Sequence, residues 1–228
     1  MSTIDVLKTL FLASGASWVL WALFGLSAVG VALTVERLIF FHELTGDLHS
    51  LANALDARLS KGEFRDAIAD LDQSPAVAAR VASAGLKLAD RGPAAAEKAM
   101  ESAAALERTR MERGLIYLAT LGNNAPFLGL FGTVVGVIAA FEALGTGAGG
   151  PATTASAAAG AVASQAVMSS IAEALVSTAV GILVALPAVA ANNYLQRRST
   201  AILAATDVLK NLVLAYLSDS KLPASEAA

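Results

Sequence analysis

The sequence predicts an all-α integral membrane protein with three transmembrane helices, N-terminus outside and C-terminus inside, and long helical cytoplasmic extensions. Three observations lead there. The chain is 56% hydrophobic and only 15% charged, with a mean hydropathy of +0.61, more apolar than an ordinary soluble domain. Uncharged runs occupy residues 9–35 (27 residues), 114–141 (28) and 174–196 (23), each long enough for a span of roughly 20 residues. Of 16 Lys and Arg, one precedes the first run, eleven fall within 37–113, four follow the third run, and none separates the second from the third. Cationic loops stay in the cytoplasm, so the long middle segment and the C-terminus are expected inside.

Taken in order, residues 1–16 fit a short amphipathic helix in the membrane interface, with Ile4, Leu7, Leu10 and Phe11 opposed to Asp5 and Lys8. Residues 17–41 form the first span. Trp18 and Trp21 towards the start of the uncharged run 9–35, and Phe40, Phe41 and His42 past the end of that run, suit interfacial anchors. A cleaved leader is disfavoured, because the apolar run is too long and Glu36-Arg37 follow it in place of a cleavage pattern.

Residues 42–113 are expected to form a cytoplasmic helical region. Leu48, Leu51, Leu55 and Leu59 recur at helical spacing, as do Phe64, Ile68 and Leu71. Gly62 reads as a stop, Ser74-Pro75 as a start, and Gly92-Pro93 as a break and restart. From Ala94 no breaker precedes Gly114, so that helix is expected to continue into the second span, 114–143, as one rod. A periplasmic loop, 144–154, leads to the third span, 155–196, in which Pro187 invites a kink. Residues 197–228 extend the span as a cytoplasmic helix (Ile202, Leu203, Thr206, Leu209, Val213 and Leu214 on its packing side) and end in a tail that frays after Ser218. The cytoplasmic helices should pack as a bundle.

Composition also narrows the chemistry. There is no cysteine, hence no disulfide or thiolate metal site. His42 and His49 are too isolated for a zinc site, no nucleophile stands beside a base, and no basic patch suggests nucleic acid. No enzyme and no bound cofactor are expected.

What remains is one acid. Glu173 is the only charged residue between Glu142 and Arg197. An ionised carboxylate away from water costs several kcal/mol or more, so such an acid is neutral, paired or facing water, and marks a functional site by default. Ser169, Glu173, Ser177, Val180 and Val184 share a helix face, hydroxyl-lined on one side of the acid and aliphatic on the other; Thr178 lies about 140° round from Glu173. A titrating carboxyl here would load an ion on one side and release it on the other, and each charge crossing 100 mV supplies about 2.3 kcal/mol. The competing readings are a structural hydrogen-bonding group and, in another class, a non-conducting membrane scaffold, which leaves the acid unexplained. In the second span Ala125, Gly129, Gly132, Gly136 and Ala140 make a small-residue stripe for close helix packing. Its glycine-rich segment has no following Lys, which argues against phosphate binding. Thr133, on that stripe, either bonds its own helix or faces a polar pore. One acid on three spans does not make an aqueous path, so an oligomer around a central pore is expected.

At these residues the chain resembles the MotA/TolQ/ExbB proton-channel family, most closely its three-span ExbB/TolQ branch. The resemblance rests on APFLGLFGTVVG (125–136), IAEALVSTAVG (171–181) and PAVAANN (187–193), in that order and in that topology. It implies a homopentamer in the bacterial inner membrane, enclosing two copies of an ExbD/TolR-like single-span partner that carries a membrane aspartate. It implies inward flow of protons, or of sodium ions, coupled to mechanical work on periplasmic and outer-membrane partners. The system driven would be ExbB-like energising of TonB-dependent transport, a TolQ-like envelope motor, or a gliding-motility motor. On matching positions Glu173 is the pore carboxylate, Thr133 and Thr178 are the pore threonines, and Asn193 closes the proline motif; Ser169 and Ser177 are further pore-lining candidates. Val135 stands where many relatives carry Trp, Asn123-Asn124 replace smaller residues, and Ser177 replaces Ala; these departures leave the branch open.

Overall fold

In the computed structural model, residues 17–44, 46–147 and 154–219 are described, and among them every regular element is helical. The order is α1 (Ser17–Leu44), α2 (Leu48–Leu59), α3 (Phe64–Asp72), α4 (Val77–Leu86), a 3-10 turn (Ala89–Arg91), α5 (Pro93–Glu112), α6 (Leu115–Gly147) and α7 (Thr154–Asp219). Three long helical stretches are apolar enough to cross a membrane, and the protein is a multi-pass membrane protein. The expected interfacial helix, 1–16, and the tail beyond 219 lie outside the described residues. The chain divides into two compact units: one built from 17–34, 117–147 and 154–192, the other from 35–116 and 193–219.

The first unit holds the parts of α1, α6 and α7 read as spans. Val19 and Leu23 of α1, Ala125 of α6, and Val184 and Ala185 of α7 form its buried cluster, with Leu121, Leu128, Phe131 and Val180 packed against it. Trp18 meets Phe131 edge-on, with ring centroids 6.0 Å apart. Outward-facing side chains are as apolar as the buried ones: Trp21 is 77% exposed, Phe127 67% and Leu183 68%. A surface of that kind belongs against lipid or another chain.

The second unit is a bundle of α2 to α5 with the distal part of α7. Asp47 caps α2, its carboxylate accepting from the backbone N–H groups of His49 and Ser50. Helix α4 is alanine-rich and almost wholly buried, with Val77, Ala79, Val81 and Ala82 at zero exposure. It lies so close to α5 that a Cβ on Gly85 would come within 2.5 Å of Met100 Cγ. Arg80 donates two hydrogen bonds to the buried Glu107, at 3.0 and 2.8 Å, which keeps that carboxylate paired. From α7, Leu209 and Val213 are fully buried, Lys210 lies 3.6 Å from Glu101, and Tyr216 donates to Asp56 at 2.7 Å. The stop at Gly62, the restart after Ser74-Pro75 and the break at Gly92-Pro93 all coincide with observed helix ends.

One expectation needs correction. The rod from Ala94 into the second span is interrupted, because Arg113 turns extended (φ −57°, ψ 139°) and Gly114 takes φ +80°. Glycine adopts the left-handed region without steric cost, and the Arg37 side chain fills the adjacent space, with Nε 2.6 Å from where a Cβ would sit. Helix α6 stays helical to Gly147 and α7 begins at Thr154; the rest of the expected loop, residues 148–153, lies outside the described set. Helix α7 runs through Pro187 without losing its helical assignment, as α6 does through Pro126.

Candidate ion-coupling site

The site is built on a glycine crossing. Gly129 and Gly181 face each other across α6 and α7, and a Cβ on Gly181 would stand 2.7 Å from the Ala125 carbonyl oxygen and 3.0 Å from Gly129 Cα. One on Gly129 would stand 2.8 Å from the Ser177 carbonyl oxygen. Further along, Gly132 sits against the Ser177 side chain (2.7 Å) and Gly136 against Ala174 (2.6 Å). Each of these glycines has at least one such distance below any real side-chain contact, so only glycine lets the two backbones meet here. In lipid, where apolar surface gains nothing by leaving solvent, such close packing is the main source of helix affinity.

The crossing sets the polar groups. Thr178, half-buried, donates to the Gly129 carbonyl across the helix pair at 3.1 Å. Ser177 is fully buried and donates to the backbone carbonyl of Glu173 at 3.0 Å. Thr133 donates to its own helix, to Leu130 O at 2.6 Å, one of the two arrangements its sequence position left open. Ser169 is exposed one turn before the acid. Asn193 is exposed and belongs to the other unit; its neighbour Asn192 is the buried one.

Glu173 itself is half-buried, and its side-chain partner is a residue that sequence patterning did not single out. The Ser17 hydroxyl of α1 donates to Glu173 Oε1. The stripe that begins at Glu173 therefore turns inward: Ser177 packs on Gly132, while Val180 and Val184 enter the cluster with Val19 and Leu23 of α1. The acid caps the end of that apolar core. The one available hint was a serine beside Trp18 at the start of an apolar run, and helical periodicity has no means of pairing it with a residue 156 positions away. Among the described residues no cluster of His, Cys, Asp or Glu could hold a metal ion. The Glu173 carboxyl accepts from the Ser17 hydroxyl, and carboxylate oxygen is a donor of the kind that small hard cations take.

Comparison with known proteins gives a consistent picture. The sequence profile described as the MotA/TolQ/ExbB proton channel family matches residues 73–207, more than half of the chain. The biopolymer transport protein ExbB of Xanthomonas campestris pv. campestris is 35% identical over 111 residues, which cover 49% of this chain and 39% of that protein. The Tol-Pal system protein TolQ of Pseudomonas aeruginosa is 41% identical over 102 residues, 45% of this chain and 39% of the relative. A putative biopolymer transport protein, ExbB-like 2, of Helicobacter pylori is 34% identical over 103 residues, 45% of this chain and 61% of the relative. The chain thus spans about two fifths of the length of the first two relatives.

Proposed function

We propose, because the chain belongs to the MotA/TolQ/ExbB proton channel family, that it is the channel-forming subunit of an ion-driven membrane motor. Glu173 is its ion-binding carboxyl. The observation that carries this reading is a single acid, half-buried at the glycine crossing of its membrane unit, with hydroxyls of Ser17 and Ser177 bonded to its side chain and backbone. In operation a proton, or alternatively a sodium ion, binds Glu173 from the outer side and leaves inward, and the membrane potential contributes about 2.3 kcal/mol per charge per 100 mV. Thr178 holds the helix pair and offers its oxygen to the path, and Thr133 lies on the same helix as the glycine stripe. In this reading the protein sits in a bacterial inner membrane, and its cation distribution favours an N-terminus on the outer side. It assembles as a homopentamer around two copies of an ExbD/TolR-like partner whose membrane aspartate exchanges the ion with Glu173.

ExbB-like energising of TonB-dependent transport is the reading we adopt. The 41% identity to a TolQ favours a Tol-type envelope motor as the second. A non-conducting scaffold accounts for the glycine packing but leaves the acid without a task. The deciding experiment is Glu173→Gln, co-expressed with the single-span partner, which keeps shape and removes titration. The motor reading expects normal assembly with ion-driven activity reduced by about two orders of magnitude or more; undiminished activity would favour the scaffold. Dependence of activity on sodium at fixed pH separates the two ions.

A further inference from the structure

We infer that Ser17 is a positioning residue for the ion-binding carboxyl, and that the first span thereby takes part in the coupling site. The inference rests on the reading of Glu173 given above. Its own support is geometric. The Ser17 hydroxyl donates to Glu173 Oε1, a side-chain contact of the acid among the described residues.

The contact is held from both sides. On α1, Val19 and Leu23 are 1% and 0% exposed, and Trp18 abuts Phe131, so the start of α1 is fastened to α6 and α7 within two residues of Ser17. On α6, Gly132 admits both neighbours at once. A Cβ there would stand 2.7 Å from Ser177 Cβ and 3.3 Å from Val19 Cγ1, so the same missing side chain brings α7 and α1 together. On α7, Ser177 ties down the Glu173 backbone carbonyl from one turn away. With helix backbone and α1 both fixed, one hydroxyl selects the carboxyl's rotamer. A carboxyl that must pass an ion between two neighbours works only if its oxygens start in a defined place, since misplacement by about 1 Å costs on the order of a hundredfold in comparable transfer steps. A hydroxyl is suited to both states of the carboxyl: it donates to the bare oxygen and accepts from the protonated one.

The test uses the full chain in lipid vesicles and two variants. Ser17→Cys keeps the shape and weakens the donor, whereas Ser17→Thr keeps the donor and adds a methyl group. The infrared band of Glu173 is identified as the carboxyl signal that Glu173→Gln removes. Ser17→Cys is expected to displace that band and to lower ion flux by about fivefold, the scale of one lost hydrogen bond; Ser17→Thr should leave both near the wild-type values. An unmoved band in Ser17→Cys overturns the inference, and so does equal displacement by both variants, which would make the effect one of packing. Failure of the underlying reading looks different. In that case Glu173→Gln leaves ion flux intact, while the infrared comparison still decides whether Ser17 positions the carboxyl.

Discussion

At the residue scale, hydroxyls of one chemical type do different work because their partners differ. Thr178 bridges two helices through the Gly129 carbonyl, while Thr133 bonds within its own helix. Replacing Thr178 by Val should therefore lower the thermal stability of the protein in detergent by about 0.6 kcal/mol, the average for an interhelical hydrogen bond in a membrane, and reduce ion-driven activity partially. Thr133→Val removes only a local back-bond and should leave the melting curve within about 0.5 kcal/mol of wild type. A partial loss of activity without loss of stability would then assign the Thr133 oxygen to the ion path. Normal activity in both variants would return the two threonines to packing roles. The hydroxyl positions were legible in the sequence, but their bonds were not: which carbonyl a hydroxyl reaches depends on the helix that passes beside it.

At the element scale, the α6–α7 crossing and the break before α6 are each set by glycine, for different reasons. Gly181 needs space. A side chain there would meet the Ala125 carbonyl and the Gly129 backbone, neither of which can swing aside. Gly181→Val should destabilise the folded protein by about 1–3 kcal/mol, the usual range for overpacking, measured as loss of folded protein in detergent melts. Gly114 needs conformation as well as space, with φ +80° and the Arg37 side chain against it. Gly114→Ala should cost about 1–2 kcal/mol for the left-handed backbone alone. The alternative outcome, a stable variant with α5 and α6 fused into the expected rod, would show as unchanged stability with increased helix content by circular dichroism. The sequence marked Gly114 as the first breaker after Ala94, yet the surrounding helix-forming residues hid that the break is used. Local propensity favours continuation, and the packing of Arg37 decides against it.

At the scale of the whole molecule, the two units respond to different variables. The membrane unit exposes Trp21, Phe127 and Leu183, so dilution of detergent below its micellar range should aggregate the protein. Mass measurement in mild detergent should find an oligomer, and a purely monomeric species would contradict the proposed assembly. The helical bundle is sensitive to acid through Asp72, which accepts from Ser83 at 2.5 Å and from Lys87 at 2.9 Å. The Ser83 hydrogen bond first, and Lys87 with it, hold this carboxyl below its ordinary value of 3.8. Because the folded value is the lower one, the stabilisation is complete above the unfolded value and is lost as pH falls from about 3.8 through the folded value. Ser83→Ala should flatten that acid limb in melts followed by circular dichroism between pH 5 and about pH 2, with little change near neutrality beyond the lost buried bond.

The sequence by itself determined three spans, the polar helices between them, the small-residue stripe and the single acid, because hydropathy, helical period and charge count are properties of one segment at a time. It also carried the family, through motifs contiguous along the chain. Only the tertiary structure decided that the stripe bearing Glu173 turns inward towards α1, that Ser17 is the carboxyl's partner, that Ser177 is buried against Gly132, and that α5 and α6 are separate helices. Those outcomes depend on which surfaces meet: around Glu173 the meeting is fixed by the close approach that Gly129, Gly132 and Gly181 permit between backbones far apart in the chain, and at the α5–α6 break by Gly114 against Arg37.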